Sequence, residues 1–102
     1  MTRGQAFRER KYFVEFTIAE ILKHKADFDY IKYAHTGLTD CEYIRIGDVQ
    51  GRAITLDITA RSLEAIVEDI VRIMLMGKEK IAPPANIITN AIELREINTL
   101  FK

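Results

Sequence analysis

Residues 41–59 read CEYIRIGDVQGRAITLDIT, and this stretch decides the fold. Aliphatic residues occupy every second position on both sides of a short segment that contains two glycines. Such alternation is typical of strands with one buried face, and a glycine-containing connection is typical of a hairpin. The stretch therefore predicts two antiparallel strands, 41–46 and 52–59, joined by a turn at 47–51 whose glycines can adopt positive φ.

The segments after the hairpin predict two helices. Residues 63–76 place aliphatic side chains at helical spacing on one face, with Ser62 as the N-cap and Gly77 as the residue that ends the helix. Residues 84–101 continue this pattern, and Pro84 suits the first turn of a helix. We therefore expect both helices to cover the aliphatic face of the sheet.

The segments before the hairpin predict one helix and one further strand. Residues 5–25 show an apolar stripe at helical spacing, although 12–18 also alternate and are rich in strand-forming residues. A helix over 5–25 is the main prediction, and a strand within 12–18 is the alternative. Residues 30–35 predict a short strand that precedes a turn at 36–40.

The order α-β-β-β-α-α defines the predicted fold class. Strands in one block with helices on both sides indicate an α+β protein with an antiparallel sheet. We expect one domain over residues 1–102, in which a three-stranded antiparallel sheet is packed on one face by helices.

Composition narrows the classes of protein to consider. The 102 residues are 48% hydrophobic and 29% charged, which favours a folded chain. The single cysteine excludes an internal disulfide and a four-cysteine zinc site, and favours a reducing compartment, the cytoplasm. No apolar run is long enough to span a bilayer, so we expect no membrane partner. Fifteen basic and fifteen acidic residues cancel, so charge alone indicates no nucleic-acid partner.

Catalytic motifs are missing from the sequence. It contains no P-loop, GxGxxG, HExxH, CxxC or GxSxG pattern. Cys41 and His35 flank one turn, which also contains Asp40. The main prediction is a protein that is not an enzyme, and the alternative is an enzyme that uses thiol chemistry at Cys41 and His35. The spacing of histidines and aspartates matches no known metal site. We therefore expect no catalytic, cofactor-binding or metal-binding residues.

The remaining surfaces predict an interaction module that binds a protein partner or self-associates, as a homodimer for example. Its supporting feature is an apolar surface larger than one thin sheet can cover, including the chain end at Leu100 and Phe101. The residues expected on the outward sheet face or at this chain end are Tyr30, Lys32, Tyr43, Arg45, Thr55, Leu100 and Phe101.

Nucleic-acid binding is the alternative function. Tyr43 and Arg45 on an open sheet face would provide a ring for base stacking and a cation for phosphate. The basic first helix would provide further phosphate contacts through Arg3, Arg8, Arg10 and Lys11.

Residues 54–70, ITLDITARSLEAIVEDI, are similar to small uncharacterised proteins of bacterial mobile elements and phages. This resemblance brings no functional residues with it and identifies no characterised family. A phage or mobile-element origin would make an inhibitor of a host protein a natural form of the interaction module.

Overall fold

The computed structural model of the chain describes residues 3–24, 27–76 and 87–101, apart from the side chains of residues 3–6 and 76. Within these ranges the chain forms one sheet and several helical segments. In chain order they are α1 (Arg3–Tyr12), a π-helical segment (Phe13–Ile18), α2 (Ala19–Lys23), β1 (Phe28–His35), β2 (Glu42–Asp48), β3 (Ala53–Asp57), α3 (Leu63–Met76), α4 (Ala91–Asn98) and a final 3₁₀ turn (Thr99–Phe101).

The sheet is antiparallel in the order β1-β2-β3. The hairpin between β2 and β3 is closed by Asp48 N, which donates to Arg52 O at 2.9 Å. Gly51 takes the positive φ, 83°, that the turn requires. Gly47 instead lies within β2, where its missing side chain leaves room for the ring of Tyr30. The hairpin prediction is confirmed, but the role assigned to Gly47 is wrong.

The first helix runs without interruption from α1 through the π-helical segment into α2. The alternative of a strand within residues 12–18 is therefore wrong. Val14, Ile18 and Leu22 are at most 1% exposed and recur at every fourth position. A π-helix bonds i to i+5 and so has a wider turn than the α-helix. The wider turn keeps residues that are four apart on one side, so the apolar stripe stays aimed at the sheet.

The main core lies between this helix, α3 and one face of the sheet. Side chains of β2 and β3 such as Ile44 and Leu56 pack there against Ile66 and Ile70 of α3. Helix α3 has the predicted bounds, and Ser62 Oγ accepts from Ala65 N at 3.1 Å as its N-cap. The predicted end of that helix at Gly77 lies outside the described residues.

The C-terminal segment differs from the prediction of a helix over 84–101. Ile87 forms an antiparallel bridge with Leu56, and Ile88 N donates to Thr55 O at 2.8 Å. These two β-branched residues extend the outer edge of β3, and α4 starts only after Asn90, whose side chain accepts from two backbone amides. Pro84 lies outside the described residues.

The C-terminal helix also lies on the opposite side of the sheet from the other helices. The 3₁₀ turn after α4 contacts β1, and the ring of Phe101 lies 4.8 Å from the guanidinium of Arg45. Ala34 and Thr55, which face this side, are buried. The expectation that every helix packs on the aliphatic face is thus wrong for α4, because β1 and β3 carry small side chains that α4 and the turn can cover.

The predicted fold class, α+β with a three-stranded antiparallel sheet in the order α-β-β-β-α-α, is confirmed. In the described parts of the chain, no helix combines the length and hydropathy that crossing a membrane requires.

Candidate functional site

A buried polar cluster joins α1 to the sheet. It consists of Arg10, Tyr33 and Glu42, and we call it the Glu42 cluster. Glu42 is only 5% exposed, and its Oε2 binds Arg10 Nε and accepts a 2.5 Å hydrogen bond from the Tyr33 hydroxyl. A buried carboxylate is costly unless it is paired and hydrogen-bonded, and these two donors meet that requirement.

The same arginine holds the turn that leads from β3 into α3. Arg10 Nη1 donates to Arg61 O at 2.9 Å and Nη2 donates to Ile58 O at 3.4 Å. Glu42 N donates to Thr59 Oγ1 at 3.0 Å. The Glu42 cluster therefore fixes the position of α1 relative to β1, β2 and the β3–α3 turn.

The chemistry of the Glu42 cluster is that of a structural anchor. Burial and the hydrogen bond to Glu42 raise the pKa of Tyr33 above its ordinary value, so the phenol stays protonated and donates. The planar guanidinium of Arg10 meets one carboxylate and two carbonyls, a geometry that Arg provides and Lys does not. Because Tyr33 and Glu42 are buried, the cluster offers little access to a substrate.

Sequence reasoning missed the Glu42 cluster, although a signal was present. Glu42 lies two positions before Ile44 and four before Ile46, so the alternation that buries the isoleucines also buries Glu42. An acidic residue in phase with a buried stripe requires a cationic partner, which Arg10 provides from α1.

The basic residues of α1 divide between interior and surface. Arg10 is committed to Glu42 and two carbonyls, so it does not line a surface with its neighbours. Arg8 is exposed, and Lys11 pairs with Glu15 at 3.6 Å. The Arg3 side chain lies outside the described part of the structure.

His35 is the last residue of β1, and Cys41 directly precedes β2. His35 is paired with Glu42 across the strands, so both side chains point to the α1 side, where the imidazole lies against Phe7 with ring centroids 3.6 Å apart. The thiol of Cys41 instead donates to Thr39 O at 3.8 Å, and it contributes to the raised pKa of Tyr43. Asp40 is brought near the imidazole, at 3.5 Å from Oδ1 to Nε2.

The sheet face expected to be open is partly covered. Thr55 is 4% exposed and accepts long hydrogen bonds, 3.4 Å each, from the guanidinium of Arg45, which also stacks near Phe101. Tyr43 is half-buried, and burial, together with the Cys41 thiol, raises its pKa to about 12. The covering elements are α4 and the 3₁₀ turn, which sequence patterns assigned to the other face.

The edge of the same face is more accessible. Lys32 is exposed, and its Nζ lies 5.5 Å from the centre of the half-buried Tyr30 ring. Leu100 is 37% exposed. The residues predicted for interaction are therefore divided: Arg45 contacts both Thr55 and Phe101, whereas Lys32 and Leu100 lie at the surface.

The most exposed aromatic side chains lie on the outer side of the first helix. Tyr12 is 63% exposed, Phe16 is 57% exposed, and their rings stack with centroids 4.8 Å apart. Beside them is a shallow groove of about 550 Å³, lined by Arg8, Glu9, Tyr12, Phe13 and Leu63. We call Tyr12, Phe16 and this groove the aromatic surface.

The sequence patterns did not predict the aromatic surface either. Tyr12 and Phe16 are four residues apart and lie off the stripe of Val14, Ile18 and Leu22. Two aromatic residues at i and i+4 on the side away from a buried stripe are the signal that could have indicated it.

Comparison with known proteins gives no relative: the chain matches no protein-family model, no curated protein and no solved structure. Among the residues that the structure describes, no three or more His, Cys, Asp or Glu side chains form a group that could hold a metal ion.

Proposed function

We propose that the protein is a small non-catalytic interaction module that binds a protein partner or a second copy of itself. The observation that carries this proposal is the aromatic surface, where two large rings remain mostly exposed beside a groove. Exposed aromatic side chains gain more than other residues from burial at an interface, and they are enriched there. The stacked arrangement lowers the entropy lost on binding because each ring already restrains the other.

Two features support binding rather than catalysis. The Glu42 cluster, the most elaborate polar arrangement described, uses its polar atoms to hold elements together. The imidazole of His35 lies near Asp40, whereas the thiol of Cys41 donates to Thr39 O, so these contacts give no support for a Cys–His pair. The single cysteine supports the cytoplasm as the compartment in which the module works.

Nucleic-acid binding has less support than protein binding. The cations that it would use include Arg10, which is held by Glu42, and Arg45, which lies against Phe101. With Thr55 buried beneath the C-terminal segment, the sheet face lacks the open platform on which bases stack.

The test compares two double variants of the full chain. Tyr12→Ser with Phe16→Ser removes the aromatic surface, and Leu38→Ser with Val49→Ser removes two other exposed apolar side chains. Solution size is measured by analytical ultracentrifugation, and binding partners by cross-linking and affinity capture. We expect the first variant to lose self-association or the captured protein and the second to keep it. A wild-type chain that is strictly monomeric and captures no protein would contradict the proposed function.

A further inference from the structure

Four exposed residues of the first helix form a straight stripe. Arg8, Tyr12, Phe16 and Glu20 recur at every fourth position, and all four are exposed. In an α-helix of about 3.6 residues per turn, each such step would drift by about 40° around the axis. The π-helical segment, Phe13–Ile18, has a wider turn that offsets this drift over the middle step, from Tyr12 to Phe16. The stripe therefore stays on one side of the helix, with aromatic rings at its centre and opposite charges at its ends.

This pattern is self-complementary. When two copies of the helix pair antiparallel about a two-fold axis near residue 14, Arg8 of one copy faces Glu20 of the other, and Tyr12 faces Phe16. The axis produces each contact twice, as in any isologous interface. Glu20 already binds Lys23 through Oε1 at 2.9 Å, but both side chains are exposed, and such surface pairs rearrange easily.

We propose that the occupant of the aromatic surface is a second copy of this chain, and that two helices pair antiparallel through Arg8, Tyr12, Phe16 and Glu20. The inference rests on the proposed function and specifies the partner. In this arrangement the groove beside Tyr12 receives Phe16 of the second copy, because that ring lies opposite Tyr12. Leu63 and Phe13 supply the apolar walls of the groove.

The length of the stripe limits the affinity with which two copies can associate. From residue 8 to residue 20 the helix extends about 18 Å, at about 1.5 Å per residue. That length is short for the large apolar interface of an obligate dimer, so we expect a reversible dimer whose population rises with protein concentration.

Charge reversal tests the pairing directly. In Arg8→Glu both ends of the stripe are acidic, and in Glu20→Arg both ends are basic. Each variant alone faces like charges in its own dimer, which we expect to raise the dissociation constant about tenfold. An equimolar mixture of the two variants restores both opposite-charge contacts in a heterodimer. Lys32→Glu, which changes the net charge as Arg8→Glu does, is the control and retains wild-type association.

The readout is sedimentation over a wide concentration range, with one variant fluorescently labelled in the mixture. Weak association of each single variant and strong association of the mixture support the pairing. A mixture no stronger than either variant alone overturns it, as does a wild-type chain that stays monomeric throughout. If a monomeric chain still captures a different protein through Tyr12 and Phe16, the proposed function survives and only the inferred partner is wrong.

Discussion

Removal of Arg10 should strongly destabilise the fold, because this side chain neutralises Glu42 in the interior. In Arg10→Met the Glu42 carboxylate, whose side chain is 6% exposed, keeps only the Tyr33 hydroxyl of its two side-chain donors. Arg61 O also loses a 2.9 Å hydrogen bond. Leaving one partner of a buried ion pair costs about 3–5 kcal/mol. We expect a loss in the free energy of unfolding at the lower end of this range, about 3 kcal/mol. The reason is that the Arg10 side chain is itself 19% exposed and becomes fully hydrated when the wild-type chain unfolds, which offsets part of what it contributes to the folded state.

Simultaneous replacement of all three polar groups should cost much less. In the triple variant Arg10→Met, Tyr33→Phe and Glu42→Leu, the Glu42 cluster no longer contains a buried charge or a buried phenol that needs a hydrogen-bond partner. Replacement of a buried pair by apolar residues of similar volume is often neutral or stabilising. We expect the free energy of unfolding to return to within about 1 kcal/mol of wild type, allowing for the carbonyls that Arg10 leaves.

Urea unfolding followed by circular dichroism measures both variants, with equal slopes as the check that two-state behaviour holds. The reasoning is refuted if Arg10→Met costs less than about 1 kcal/mol, the range of a surface ion pair. It is also refuted if the triple variant is less stable than Arg10→Met, since the cost would then come from lost packing.

Three further perturbations probe other parts of the fold. Gly47→Ala places a Cβ against the ring of Tyr30 and should cost about 1–3 kcal/mol in urea unfolding, and adding Tyr30→Ala should remove most of that specific cost. Ala60 has a φ of 60°, so Ala60→Gly should raise the unfolding free energy by up to about 1 kcal/mol, and a decrease would show that the turn is unstrained. Burial raises the pKa of Tyr43 to about 12, above the value of about 10 in an unfolded chain, so its contribution to stability is complete below pH 10 and lost as the pH rises to 12. Tyr43→Phe should lessen that loss in unfolding measured across this pH range, and an unchanged pH profile would contradict the assigned cause.

The predictable parts of the fold are those governed by local periodicity. Alternation determined the hairpin, and a regular apolar face with a serine cap determined α3 within its bounds. The start of α4 was not predictable in this way, because Ile87 and Ile88 fit a helical stripe as well as a strand. Only contact with the free edge of β3 decides between the two, and that contact is tertiary.

The candidate site was less predictable, for a related reason. Arg10 fits a basic surface in the sequence, and only its contact with Glu42, 32 positions away in the chain, turns it inward. The π-helical segment likewise follows from packing, since it keeps Val14 and Ile18 on the sheet while Phe16 stays outside. Both features depend on contacts with residues that are distant in the sequence, and the periodicity of a segment gives no information about such contacts.

Backbone-amide NMR over a dilution series tests most directly whether the aromatic surface is where the protein works. Self-association through this surface predicts concentration-dependent shifts confined to residues 8–20 and the groove residue Leu63. The amides of Leu38 and Val49, exposed apolar residues elsewhere, should stay unchanged. Shifts centred on α4 or on the outer sheet face, with residues 8–20 unaffected, would contradict the account.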